Sequence, residues 1–114
     1  MVSELLTEAT KENFRDLVAS GTVLVDVWGP QCRPCLALMP HVERLAAART
    51  DVKVVKLDSS KARRLCMELR VMGLPAFLLF REGREVARLA APELTAPELE
   101  QWVDQTLANI EEGR

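Results

Sequence analysis

The chain has no apolar run approaching the roughly 18 residues needed to cross a bilayer, so its sequence holds no candidate membrane-spanning helix. Met1 to Thr10 carries Glu4 and Glu8 and lacks the basic, apolar pattern of a secretory leader. Basic charge is not in excess. The formal net charge is −2 at pH 7, and bulk charge points to no nucleic-acid partner. Histidine occurs once and cysteine three times. Three cysteines make no disulfide framework, because one must stay unpaired. Repeats, low-complexity stretches and internal linkers are also missing. What remains is a 114-residue chain, 48% hydrophobic and 28% charged. That is an ordinary balance for one globular domain, expected over residues 1–114. The expected location is the cytoplasm, where a close cysteine pair is more often catalytic or metal-binding than structural.

Helical and strand patterns alternate along the chain. Thr10 is placed to cap a first helix carrying Phe14, Leu17 and Val18, which Gly21 ends. Val23-Leu24-Val25-Asp26-Val27-Trp28 is nearly continuous in apolar character, as in a central strand buried on both faces, and Gly29-Pro30 breaks it. A second helix is expected from near Cys32, with Leu38, Met39, Val42, Leu45 and Ala46 on one stripe and Pro40 kinking it. Val52 to Leu57 reads as another buried strand. Asp58-Ser59-Ser60 offers caps for a third helix with Ala62, Leu65, Cys66 and Leu69 inward. After Gly73-Leu74-Pro75, Ala76 to Phe80 is a strand, Glu82-Gly83 a turn, and Glu85 to Leu89 a more polar strand near an edge. Thr95 and Glu98 form a capping-box pattern before a last helix that buries Leu99, Trp102, Val103, Leu107 and Ile110, with Glu111 to Arg114 as a frayed tail. A short first strand over Leu5 to Thr7 is also a candidate. The expected class is α/β, with a central mixed sheet of four to five strands flanked by four helices.

Cys32-Arg33-Pro34-Cys35 stands where the central strand gives way to a helix. Residues three apart in a first helical turn come within disulfide reach. A thiolate there is stabilised by the N–H groups at the helix start, and Pro34 is tolerated because its missing N–H would have no helical partner. Arg33 adds a positive charge. Cys32, nearer the loop, is the expected nucleophile, and Cys35 the more buried resolving thiol. The competing reading is half of a zinc site. It needs two further ligands, for which only Cys66 and His41 are to hand. Cys66 lies on the apolar stripe of its helix. His41 is displaced roughly 120° around the helix and about 9 Å along it from Cys35.

Asp26 interrupts the apolar central strand, and Lys56 interrupts the other one. An unpaired buried carboxylate is costly, so Asp26 is expected to take up a proton or lie near Lys56. The functional reading is a raised pKa that lets Asp26 move a proton to and from Cys35. The alternative is that both side chains reach solvent at strand ends.

Val25-Asp26-Val27-Trp28, Cys32-Arg33-Pro34-Cys35, Pro40, Gly73-Leu74-Pro75 and Phe80-Arg81-Glu82-Gly83 together resemble thioredoxins, with matching spacing over essentially the whole chain. The resemblance implies the thioredoxin fold, a cis Pro75 packed beside the cysteines, and a substrate-contacting set of Trp28, Arg33, Pro34, Leu74 and Pro75. It implies a monomeric electron carrier that needs no cofactor beyond its own cysteines. Its implied role is to reduce protein disulfides after being reduced by a flavin-dependent, thioredoxin reductase-like donor. Several positions depart from the family pattern. Gln31 replaces the usual Trp, Arg33 the usual Gly, Leu36 a common Lys and Ala76 a common Thr, and the glycine of the substrate groove is replaced near Ala91. Cys35-Leu36-Ala37-Leu38-Met39-Pro40 and Ser60-Lys61-Ala62-Arg63-Arg64-Leu65 are similar to thioredoxins serving selenoprotein glycine, sarcosine or betaine reductases, which implies a specialised partner set.

Two other function classes compete with this reading. A redox-inactive scaffold with the same fold would not need both cysteines, Asp26 and Pro75. An oxidase would need a high potential. One exposed cation such as Arg33 shifts the couple by roughly 5–20 mV, small against the about 150 mV between thioredoxin and the strong periplasmic oxidant. The basic run Lys61, Arg63 and Arg64 reads either as a solvated face or as a docking collar for an acidic partner.

Overall fold

The computed structural model describes residues 6–112. Five strands form one sheet: β1 (Thr7–Ala9), β2 (Thr22–Trp28), β3 (Lys53–Asp58), β4 (Ala76–Arg81) and β5 (Arg84–Ala90), in the spatial order β1-β3-β2-β4-β5. β1, β3 and β2 run parallel, while β4 and β5 are antiparallel to their neighbours. The helices are α1 (Phe14–Leu17), α2 (Arg33–Ala48), α3 (Arg63–Glu68) and α4 (Ala96–Glu112).

Alternation along β2 divides the core. Val23, Val25 and Val27 pack with Phe14, Val18, Leu65, Cys66 and Leu69 on the α1–α3 side. Leu24, Phe77 and Leu79 pack with Leu38, Val42, Leu99 and Val103 on the α2–α4 side. The near-continuous apolar run of β2 follows from this, since both faces are covered. β5, at the edge, is the polar, largely exposed strand its composition predicts.

Local signals act where expected, with shifts of a few residues. Thr10 and Asn13 exchange side-chain–backbone hydrogen bonds ahead of α1. Thr95 and Glu98 do the same at α4, through bonds of 3.0 and 3.3 Å. The first strand is Thr7–Ala9, displaced from the expected Leu5 to Thr7, and Leu5 lies outside the described residues. Its polar, three-residue edge offers no apolar pattern to mark it. α2 runs continuously through Pro40 from Arg33 to Ala48. Asp58 caps a single 3-10 turn, Ser59–Lys61, ahead of α3, by accepting from the Ser60 N–H at 2.9 Å. The tail expected to fray is helical as far as Glu112.

Arg70 adopts a left-handed φ of 59°, just after α3. The Arg88 guanidinium on β5 donates to the Leu69 and Arg70 carbonyls at 2.7 and 2.8 Å, and the Glu85 carboxylate holds it from the other side. It thereby satisfies carbonyls that the helix end leaves open. Arg88→Met keeps the aliphatic reach and removes both donors. The expected loss is about 1–2 kcal/mol in urea unfolding, discounted for partial exposure.

Candidate functional site

β2 and β3 are parallel, so both end at the same edge of the sheet, where antiparallel β4 begins. Three loops therefore meet there: Gly29–Cys32 after β2, Ser59–Ser60 after β3, and Gly73–Pro75 before β4. Crevices beyond the carboxyl ends of parallel strands are where α/β folds bind ligands. An open groove of about 670 Å³ lies there, lined by Gly29, Pro30, Gln31, Cys32, Arg33, Pro34, Ser59, Ser60 and Leu74. A side chain at Gly29 would come within 3.2 Å of Leu74 Cδ1, so glycine lets the two loops approach.

Cys32 and Cys35 are joined by a disulfide, with Cα atoms 5.3 Å apart. Cys32 is the N-cap of α2. Its Sγ accepts the Cys35 N–H at 3.2 Å, and its carbonyl accepts the Leu36 N–H at 3.1 Å. Pro34 sits in the first turn, where no donor is lost. Cys32 is half-buried on the groove wall, whereas Cys35 is only 2% exposed.

Asp26 is 1% exposed and pairs across the sheet with Lys56 on β3 and Phe77 on β4. It shares the parity of Leu24, the α2–α4 side. Burial pushes its carboxyl up to about 7, against the pull of the Lys56 charge. Its Oδ2 has no hydrogen-bond partner. Asp26 and Lys56 are neighbours but make no ion pair within 4.0 Å. The Lys56 ammonium instead stands 5.8 Å from the centroid of the Trp28 ring. Neither residue simply reaches solvent at a strand end: Asp26 is buried and Lys56 half-buried.

Of the residues expected to contact substrate, Arg33, Pro34 and Leu74 line the groove. Pro75, next to Leu74 in the chain, follows a cis peptide bond and is buried. Trp28 does not line the groove; it is half-buried against Lys56, with its indole N–H unpartnered. Sequence reasoning missed Gly29, Pro30, Gln31, Ser59 and Ser60 as lining residues. The parallel pairing of β2 and β3 would have found them, because it brings the two loops together.

Cys66 is buried in the α1–α3 cluster, and burial pushes its thiol up. His41 is half-buried, with Nδ1 meeting the Arg44 guanidinium. Among the described residues no three His, Cys, Asp or Glu side chains gather as a metal site would require.

The family model described as Thioredoxin matches residues 5–105. A thioredoxin of Acetoanaerobium sticklandii is 37% identical over 99 residues, covering 84% of this chain and 94% of that protein. A thioredoxin of Peptoclostridium acidaminophilum is 38% identical over 106 residues, covering 90% and 96%. In fold, the chain matches oxidised mitochondrial thioredoxin 3 of Saccharomyces cerevisiae with a TM-score of 0.81 at 24% identity, covering 92% of this chain and 99% of that one. The chain belongs to the thioredoxin family, and its bonded Cys32–Cys35 pair makes it a dithiol–disulfide oxidoreductase acting on protein disulfides.

Proposed function

We propose that Cys32 is the attacking and Cys35 the resolving thiol in a two-electron reduction of partner-protein disulfides. The difference in access between the two sulfurs carries this reading: Cys32 faces the groove and Cys35 lies beneath it. In the reduced protein, Cys32 thiolate attacks one sulfur of the partner's disulfide. A mixed disulfide forms, and the partner's other sulfur leaves as a thiolate. Cys35 thiolate then attacks the Cys32 sulfur, which restores the 32–35 disulfide and releases the second partner thiol. The Cys35 N–H at the helix start favours the Cys32 thiolate.

Asp26 takes the Cys35 proton as that thiol is deprotonated for attack, and returns it when the pair is reduced again. A carboxyl with a pKa of about 7 can do both near neutral pH. Lys56 tunes it electrostatically. Arg33, Pro34, Leu74 and Pro75 hold the partner segment in the groove, and Trp28 supports the floor behind it.

The protein is a monomeric, single-domain cytoplasmic electron carrier, reset by a flavin-dependent, thioredoxin reductase-like donor. The stretches Cys35–Pro40 and Ser60–Leu65 favour a selenoprotein amino-acid reductase among its targets. Cys35→Ser tests the order of attack. The variant, incubated with an oxidised partner, is expected to accumulate a mixed disulfide through Cys32, visible by mass spectrometry and released by a small thiol. A covalent adduct through residue 35 in the reciprocal variant, with none through Cys32, would reverse the assignment.

A further inference from the structure

A second groove, of about 590 Å³, adjoins the one that holds the disulfide; Ser60 lines both. Its walls come from the segment around α1 and from the turn and helix after β3. Lys11, Lys61, Arg63 and Arg64 line it and are all exposed. Among the described residues none of these four has a carboxylate within 4.0 Å. The groove also contains Arg15 and Glu68, which face each other at 3.9 Å, and Glu12. The local balance is therefore strongly positive on a chain whose net charge is −2. Arg63 and Arg64 occupy the first turn of α3, the end at which cations are least favoured.

We propose that this groove binds an acidic segment of the protein whose disulfide is being reduced. The proposal rests on the reductase reading above and adds a partner chemistry to it. Ser60 belongs to the walls of both grooves, so a partner chain lying across the disulfide and extended past Ser60 would enter the basic groove. The occupant is then part of the substrate protein itself. Asp and Glu side chains there would meet four cations that, among the described residues, have no carboxylate within 4.0 Å. Each exposed pair is worth roughly a twofold gain in affinity, and several acting together give about tenfold. Such a gain appears chiefly in the encounter and in KM.

Two peptides carrying the same disulfide test this, one flanked by glutamates and one by glutamines. With the native protein at low salt, kcat/KM is expected to be about tenfold higher for the acidic peptide. The ratio should approach one as salt nears 1 M, where the screening length is about 3 Å. The double variant Arg63→Glu/Arg64→Glu should lose or invert the preference while reducing the neutral peptide within about twofold of the native rate. Both side chains are exposed, and acidic residues suit a first helical turn, so the variant is expected to fold. Equal turnover of the two peptides by the native protein overturns the proposal. So does a preference that survives charge reversal. Competition by a single-stranded oligonucleotide, with the two peptides turning over alike, would assign the groove to nucleic acid instead. If neither peptide is reduced, the reductase reading itself falls, and the groove proposal with it.

Discussion

Cys32→Ser is expected to abolish reduction of a protein disulfide, by at least about a thousandfold relative to the native protein. A serine hydroxyl is not ionised near neutral pH, so the attacking anion is gone, and removing a nucleophile costs most of the rate enhancement. No other thiol can substitute. Cys35 is almost fully buried, and Cys66 is enclosed in the α1–α3 cluster with its thiol pushed up by that burial. The assay follows reduction of a protein disulfide with a small dithiol as electron source, after subtraction of the dithiol's own rate. Cys66→Ala in the same assay should leave the rate close to native, because that thiol does not reach the groove. Function retained in Cys32→Ser would mean that the fold serves as a scaffold and its cysteines are incidental.

The second large effect concerns Asp26 and has opposite signs for stability and turnover. In the unfolded chain its carboxyl has the ordinary value of 3.8; in the folded chain burial raises it to about 7. Below about pH 4 the carboxyl is protonated in both states, and its full stabilising contribution is present. Between about pH 4 and pH 7 the folded state keeps a proton that the unfolded state has lost. Stability therefore falls as pH rises, by about 1.4 kcal/mol per unit and roughly 4 kcal/mol in all, then levels off above the folded value. Asp26→Ala should remove this slope. At pH 8 the variant should be more stable than the native protein by about 2–4 kcal/mol, because it no longer buries an unpaired charge beside Phe77. At pH 4 the gain should vanish or reverse, since a neutral carboxyl costs little and alanine leaves a small void. Urea unfolding at the two pH values measures both. Turnover should fall by about a hundredfold, the lower end of the scale of a lost acid–base group. A native-like pH slope in the variant would place the titration elsewhere.

Much of this was legible in the sequence, for definite reasons. β2 announced itself because both its faces are covered, which requires an apolar run, and Asp26 was conspicuous as the one break in it. Cys32 to Cys35 was legible because a strand, a Gly-Pro break and a proline in a helical first turn surround it. β1 was misplaced by two residues because a three-residue edge strand needs no apolar pattern. Asp58 caps a 3-10 turn and not the expected α-helix, since side-chain capping looks the same in sequence before either. Ser59 and Ser60 were invisible as groove residues for a different reason. Their role comes from strand adjacency, which is a property of the sheet and absent from any local window. The half-buried setting of Trp28 against Lys56, 28 residues further along the chain, is likewise non-local.

Every segment that shapes the disulfide groove lies at one end of the sheet. The β4–β5 hairpin turns at the other end, where Glu82 and Gly83 take left-handed backbone angles and the Glu82 N–H meets the Gly21 carbonyl. That end is the molecule's handle. A linker, a surface or a fused domain joined at the hairpin would leave the reacting face pointing freely into solution, so the protein can be tethered there and still present its groove to large partners.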